Sequence, residues 1–268
     1  MIFREGSIVA PSAPSWKYDL PGPNEAPITI PSPSGISNPP NYVGDIYLEL
    51  PRATFMMRGL AIWGAVGASI AGILPLVFSI DHMISSSWIP GPLIIFCMLS
   101  LLSISVWLAV YYWRMDLEAP LDEPIRFNRA RRKIYVYRFH HAGLRPFSRS
   151  AWGVKPEAYD WDDLHAEFCS IYGPMGSGGL IETVTLAVLK PGTNEVLDRF
   201  LFAHGGQEAK MYWAMAQLFM QQGPQALPKF DRPPRDWNNE NHVFNLARRF
   251  APKVQWPHDM DMESRTAP

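Results

Sequence analysis

Three groups of side chains have the types and spacing to do chemistry. Asp160, Asp162, Asp163, His165 and Glu167 crowd into one short stretch. Carboxylates beside an imidazole are the material of an acid–base pair; the plainer reading is one solvated strand face. His140 and His141 are adjacent, with His204 further on. Neighbours on a strand point to opposite faces, so His140 and His141 do not chelate together. Gly173, Gly176, Gly178 and Gly179 imitate a phosphate loop, but no Lys precedes a Ser or Thr there and a β-prone run follows. No nucleophile elbow, HExxH or thiol-redox pair is present. The expectation is therefore a protein that is not an enzyme, with no catalytic, cofactor-binding or metal-binding residues.

The third group is cationic: Arg126, Arg129, Arg131, Arg132, Lys133 and Arg138. Each such cation near an anionic leaflet contributes about 1 kcal/mol, and 4–8 of them read as lipid-headgroup contact. A partner peptide is the other occupant for this basic hairpin. The competing reading is ordinary surface charge that keeps the segment cytoplasmic.

These groups must be positioned by the elements before them. Gly59–Ile80 and Trp88–Trp113 are two charge-free apolar runs around a short turn, Asp81–Ser87. A bilayer core of about 30 Å needs about 20 residues at about 1.5 Å each, and lipid admits only elements that satisfy their own backbone. Residues 59–113 are thus expected to form a transmembrane helical hairpin, kinked at Pro75. The turn has no Lys or Arg, while Arg52, Arg58, Arg114, Arg126 and Arg129 flank the hairpin. Both termini are then cytoplasmic. Trp63, Trp88, Tyr111, Tyr112 and Trp113 fall near the interfaces. Gly64, Ala68 and Gly72 recur at a spacing of four that lets backbones approach. They seat either the second helix or, in the sharper reading, a homodimer.

The 268 residues carry a formal net charge of −1, which argues against a nucleic-acid partner. Cys97 lies in the second run and Cys169 beyond it, so no disulfide framework is implied. Residues 1–50 lack the apolar core of a cleavable signal, leaving the first run as an uncleaved insertion signal.

Residues 1–44 are rich in Pro, Ser, Gly and Asn, and are expected to be a disordered cytoplasmic arm. Residues 45–58 are expected to be a pre-membrane segment, and Val43–Leu50 suits an edge strand. Residues 114–250 are expected to be a β-rich cytoplasmic domain. Ile125–Phe127 and Lys133–Phe139 read as strands around an Asn128–Arg132 turn, with Ile134, Val136 and Arg138 on one face and Tyr135, Tyr137 and Phe139 on the other. Trp161–Tyr172 suits a strand as well as a helix; strand is preferred. Glu182–Leu189 and Val196–Phe202 form a hairpin around Pro191–Asn194. Gln207–Gln221 is a helix with Met211, Ala214, Met215 and Leu218 on its apolar face, stopped by Gly223 and Pro224. A short helix follows over Asn239–Phe250, then a disordered tail, 251–268. The class is α+β: a transmembrane hairpin, then a pleckstrin-homology-like half-barrel closed by a helix.

The stretches "IRFNRARRKIYVYRF", "YDWDDLHAEF", "TVTLAVLKPGTNEVLDRFLFAHG" and "MAQLFMQQGPQALP", together with the hairpin, resemble an uncharacterised bacterial family of two-helix membrane proteins. That family is found beside type VI secretion and Rhs-type toxin loci. The resemblance spans residues 45 to 230. It implies a bacterial inner-membrane immunity or accessory protein whose partners are the lipid bilayer and a cognate toxin, with a lipid or peptide adaptor as the alternative.

Overall fold

A computed structural model describes residues 7–52, 59–86, 90–173, 179–239 and 245–268. The chain starts with β1 (Trp16–Asp19), β2 (Tyr42–Val43) and β3 (Tyr47–Leu50). It continues with α1 (Leu60–Ser86) and α2 (Pro92–Leu117), then β4 (Ile125–Asn128), β5 (Lys133–His140), β6 (Gly153–Asp160), β7 (Leu164–Tyr172), β8 (Leu180–Leu189) and β9 (Val196–His204). It ends with α3 (Gly206–Gln222), α4 (Leu246–Phe250) and α5 (His258–Arg265).

The class is α+β: two apolar helices followed by antiparallel sheets. Both helices are long and apolar enough to cross a membrane. They pack side by side yet leave Trp63 71%, Phe78 67%, Leu93 74% and Phe96 68% exposed. Contiguous apolar exposure on this scale marks a surface that meets something other than water. α1 runs through Pro75 to Ser86, so Asp81 and His82 stand in its last turns and not in the expected connecting turn. Arg58, Ser87 and Trp88 lie outside the described residues.

Gly64 and Gly72 of α1 face α2. A Cβ on Gly72 would lie 2.7 Å from the Ser105 Cβ, and one on Gly64 3.2 Å from the Tyr112 ring. Ala68, one turn from each, is half-buried. This geometry is that of the hairpin's own seam. Gly72→Ile is expected to cost about 1–3 kcal/mol by overpacking. Gly67→Ala, directed into open space, is expected to change stability by under about 0.5 kcal/mol. Thermal denaturation of the detergent-solubilised variants checks both. Asp116, only 2% exposed in α2, accepts from the Gly59 and Ile62 N–H groups at 3.1 and 2.8 Å. It thereby satisfies donors that the first turn of α1 leaves without intrahelical partners.

The hairpin interrupts a sheet. β3 and β4 are antiparallel neighbours in the order β2-β3-β4-β5-β6, with Leu50 opposite Ile125. The connection between these paired strands is the pair of helices, so both helix feet stand at the same sheet end. β1-β7-β8-β9 is the second sheet. Leu48, Phe127, Ile134 and Val136 from one sheet and Phe168, Leu186 and Phe202 from the other share a core with Trp161. α3 sends Trp213 to within 5.3 Å of Trp161 and 6.1 Å of Phe202, ring to ring.

Both expected hairpins and the α3 helix form where the pattern placed them, and the ambiguous stretch becomes the strand β7 after a 3-10 turn at Trp161–Asp163. β6 is absent from the sequence reading. Its Gly153 and Pro156 disfavour a strand, but as an edge it tolerates them and pairs along the whole of β5.

Three expectations are corrected. The arm is ordered from residue 7: Trp213 Nε1 donates to the Pro21 carbonyl at 3.0 Å, Gln217 Nε2 to Gly22 at 2.7 Å, and the Tyr212 hydroxyl to Asn38 at 2.7 Å. Leu20 and Ile36 join the core. Of the segment anticipated as pre-membrane, 45–58, Tyr47–Leu50 is β3, inside the five-stranded sheet rather than at its edge, and 53–58 lie outside the described residues. The tail is also ordered. Asn128 Nδ2 donates to the carbonyls of Ser264 and Thr266 at 3.0 and 2.9 Å, and the Tyr137 ring meets Trp256 at 5.2 Å. Of the helix expected over Asn239–Phe250, Leu246–Phe250 forms, capped by the Asn245 side chain, while 240–244 lie outside the described residues.

Candidate binding cleft

The acidic cluster does not converge, and its inner members are not solvated. Asp162 pairs with Arg132 and accepts from Asn24 on the surface. Glu167 has no exposed area and binds Arg199 Nε at 2.7 Å and the Ala13 N–H at 2.9 Å. His165, 8% exposed, lies 3.2 Å from Asp19. Leu164, Ala166 and Phe168 take the core face of β7, and His165 and Glu167, on the other face, meet Asp19 and Ala13 of the N-terminal arm and Arg199 of β9. His140 approaches Glu157 at 3.4 Å, whereas His141 stacks on Phe139 and Trp152, so the two imidazoles have different neighbours. Burial pushes His204 below the usual imidazole range. Gly176 and Gly178 lie outside the described residues. Among the described residues no cluster of three His, Cys, Asp or Glu has metal-binding geometry.

The basic cluster is dispersed by its own partners. Arg126, 3% exposed, binds Glu49 at 2.5 Å, Asp261 at 2.6 Å and the Ser264 hydroxyl at 2.8 Å. Arg131 donates to the carbonyls of Thr266 and Ala267. Arg132 holds Asp162, Lys133 meets Glu263 at 3.4 Å, and Arg138 holds Asp198 at 2.7 Å. Arg129 is exposed and lies beside Gly223. Of the six cations of the expected basic hairpin, Arg126, Arg131, Arg132, Lys133 and Arg138 are therefore bonded to groups within the molecule. Arg126 lies in β4 and Lys133 and Arg138 in β5, while Arg129, Arg131 and Arg132 lie in the turn between the strands. Arg52, anticipated as a membrane flank, is likewise buried, donating to Glu123 and to the Leu201 and Tyr137 carbonyls.

What the fold builds instead is a cleft of about 480 Å³ between the β2–β3 edge and the C-terminal segment. Tyr42 and Tyr47 stack at 4.3 Å on one wall. Trp237, with Arg235 4.1 Å over its ring, and Trp256, with Arg126 4.5 Å over its ring, contribute to the lining. Trp237 Nε1 donates to Asn41 Oδ1 at 3.2 Å, and Asn41 Nδ2 donates to Asp122 at 2.9 Å. Asp122 also accepts from the Arg52 and Glu123 N–H groups. Of the cleft lining, sequence reasoning named only Arg126 as a binding candidate; the cleft itself it missed. The available signal was Trp237 and Trp256 in stretches without helical or strand period, since a large aromatic outside regular structure marks a segment anchored to a surface.

Burial raises Asp122 to about 7, against the pull of its N–H donors. A folded-state value above the unfolded 3.8 means that its contribution to stability is present below about 4 and lost as pH rises through about 7. The melting temperature is expected to fall over that window, and the slope to flatten in Asp122→Asn. A pH series of thermal melts on both proteins checks this.

The cleft brings aromatic rings, stacked guanidiniums and paired carboxylates together without a nucleophile beside a base. The fold and cleft define an α+β domain carried on an apolar helical hairpin. Residues 102–268 match a family of unknown function, DUF6708, and the chain belongs to that family. The match begins within α2 and runs through the sheets to the C-terminal residue. No curated protein and no solved structure matches the chain.

Proposed function

We propose that the protein is a non-enzymatic, membrane-anchored binding protein of the immunity or accessory type. It holds a cognate antibacterial effector from the cytoplasmic side of a bacterial inner membrane. The observation that carries the binding role is the cleft. Trp, Tyr and Arg dominate the residues on which protein interfaces concentrate their energy, and here Tyr42, Tyr47, Trp237, Trp256, Arg126 and Arg235 line one concave surface. The effector class comes from the resemblance of the chain's central segments. Both helix feet flank paired strands of one sheet, so a spanning hairpin leaves both chain ends on one side; the flanking cations favour the cytoplasmic side. The order of four strands, β3 to β6, three more, β7 to β9, and then α3 supports a pleckstrin-homology-like half-barrel with α3 as its closing helix.

Co-purification with the effector encoded beside it tests this reading. Trp237→Ala and Tyr42→Ala are each expected to weaken the complex about 30-fold, equivalent to about 2 kcal/mol, while the melting temperature changes little. Cells that gain no protection from the protein, together with absence of any complex, would end the proposal.

A further inference from the structure

The β5–β6 connection, residues 141–152, is not absorbed by the cleft. It is internally braced: Arg145 N–H donates to the Ala142 carbonyl at 2.9 Å, Ser148 N–H to Arg145 at 3.1 Å, and Trp152 Nε1 to Arg145 at 3.0 Å. It is also fastened to α2. Arg114 donates to the Pro146 and Ser148 carbonyls at 2.5 and 2.9 Å and lies 4.7 Å over the Trp152 ring. Trp152 meets Tyr111 edge-on at 6.0 Å. With Pro146 and Trp152 turned inward, the loop exposes Leu144 at 89% and Phe147 at 62%, with the exposed Arg145 and Arg149 interleaved.

The height of this loop follows from the helix that holds it. α2 has 26 residues, about 39 Å at 1.5 Å each, against a hydrocarbon core of about 30 Å. A span beginning at Pro92 leaves the core near Tyr112. Tyr111 and Arg114 are then at the headgroup level, the usual place for an aromatic ring and the first cation after a span. A loop bonded to both stands at the same level. There, apolar tips reach the acyl boundary while neighbouring arginines meet headgroup phosphates.

We propose that residues 142–149 form an interfacial foot, with Leu144 and Phe147 inserted into the bilayer surface in which α1 and α2 end. The foot would hold the domain, and its cleft, at a set tilt to the membrane. The inference rests on the membrane-anchored reading and is independent of the effector.

The test uses the full chain in nanodiscs of phosphatidylcholine and phosphatidylglycerol. Leu144→Cys and Phe147→Cys, each in a Cys97→Ser/Cys169→Ala background, carry an environment-sensitive fluorophore. Ala130→Cys is the control: it lies in the turn at the opposite end of β5, an eight-residue strand of about 24 Å. Native Cys97, exposed in α2, is labelled in a separate Cys169→Ala protein. Lipid spin-labelled near the headgroup is expected to quench the probes at 144 and 147 at least threefold more than the probe at 130. Deep-labelled lipid is expected to quench the probe at 97. Quenching at 144 and 147 no greater than at 130, with Cys97 quenched, overturns the foot and leaves the membrane reading standing. An unquenched Cys97 overturns both.

Discussion

Arg126→Ala is expected to cost about 3–5 kcal/mol, the range for breaking a buried ion pair by removing one partner. The substitution leaves Glu49 and Asp261 without their shared cation and the Ser264 hydroxyl without its donor. It also removes the guanidinium from the Trp256 ring. At roughly 2–4 °C per kcal/mol for a domain of this size, the melting temperature is expected to fall by roughly 6–20 °C. Because Arg126 joins β4 to α5, the C-terminal segment should loosen first. Limited proteolysis is expected to cut after Lys253 well below the melting temperature of the variant. A loss under about 1 kcal/mol, with the C-terminal segment still protected, would show that Arg126 is not its anchor. Since this segment forms one side of the cleft, the same variant is expected to lose partner binding.

Arg199→Ala should be comparably damaging in the four-stranded sheet. Glu167 has no exposed area, and among the described residues Arg199, with Nε at 2.7 Å, is its ion-pair partner. The second guanidinium arm holds the Pro11 carbonyl at 2.6 Å, while the other Glu167 oxygen takes the Ala13 N–H. Removing Arg199 therefore strands a buried carboxylate and frees the start of the arm. The expected loss is again about 3–5 kcal/mol, read by chemical denaturation, with Lys17 becoming a tryptic site. Arg132→Ala provides the contrast. Its pair with Asp162 is open to solvent on both sides, at 43% and 54% side-chain exposure, and exposed pairs contribute about 0–1 kcal/mol. Equal effects from the two substitutions would mean that burial does not govern these ion pairs.

The two cations look alike in the chain, each an arginine within or beside a β-prone run. Burial separates them, and burial was not readable from the local pattern. Lys133–His140 alternated as a strand should, and it became β5. The pattern assigned Tyr135 and Tyr137 to a face of their own but did not say that residues 255–264 lie over it. The acidic stretch from Asp160 fails for the same reason. Polar side chains on a strand read as solvated unless another segment meets them, and Ala13 and Asp19, over 140 residues earlier, meet Glu167 and His165.

Some features needed no partner to be inferred. Apolar runs long enough for a bilayer, the β4–β5 and β8–β9 hairpins and the α3 helix are written in neighbouring residues, because helix and strand periods and turn chemistry act over a few positions. The small-residue face of α1 was legible too, but the sequence left it two occupants, the second helix or a second copy, and the structure sets Tyr112 and Ser105 of α2 against Gly64 and Gly72. The order of the arm and tail, the cleft between Tyr42 and Trp256, and the internal pairing of the basic cluster came from folding alone. Their contacts join residues more than a hundred positions apart, as with Ala13 and Glu167 or Arg126 and Asp261. A proline-rich segment carries no period of its own. It becomes ordered when a distant surface supplies hydrogen-bond partners and apolar cover that offset its conformational entropy.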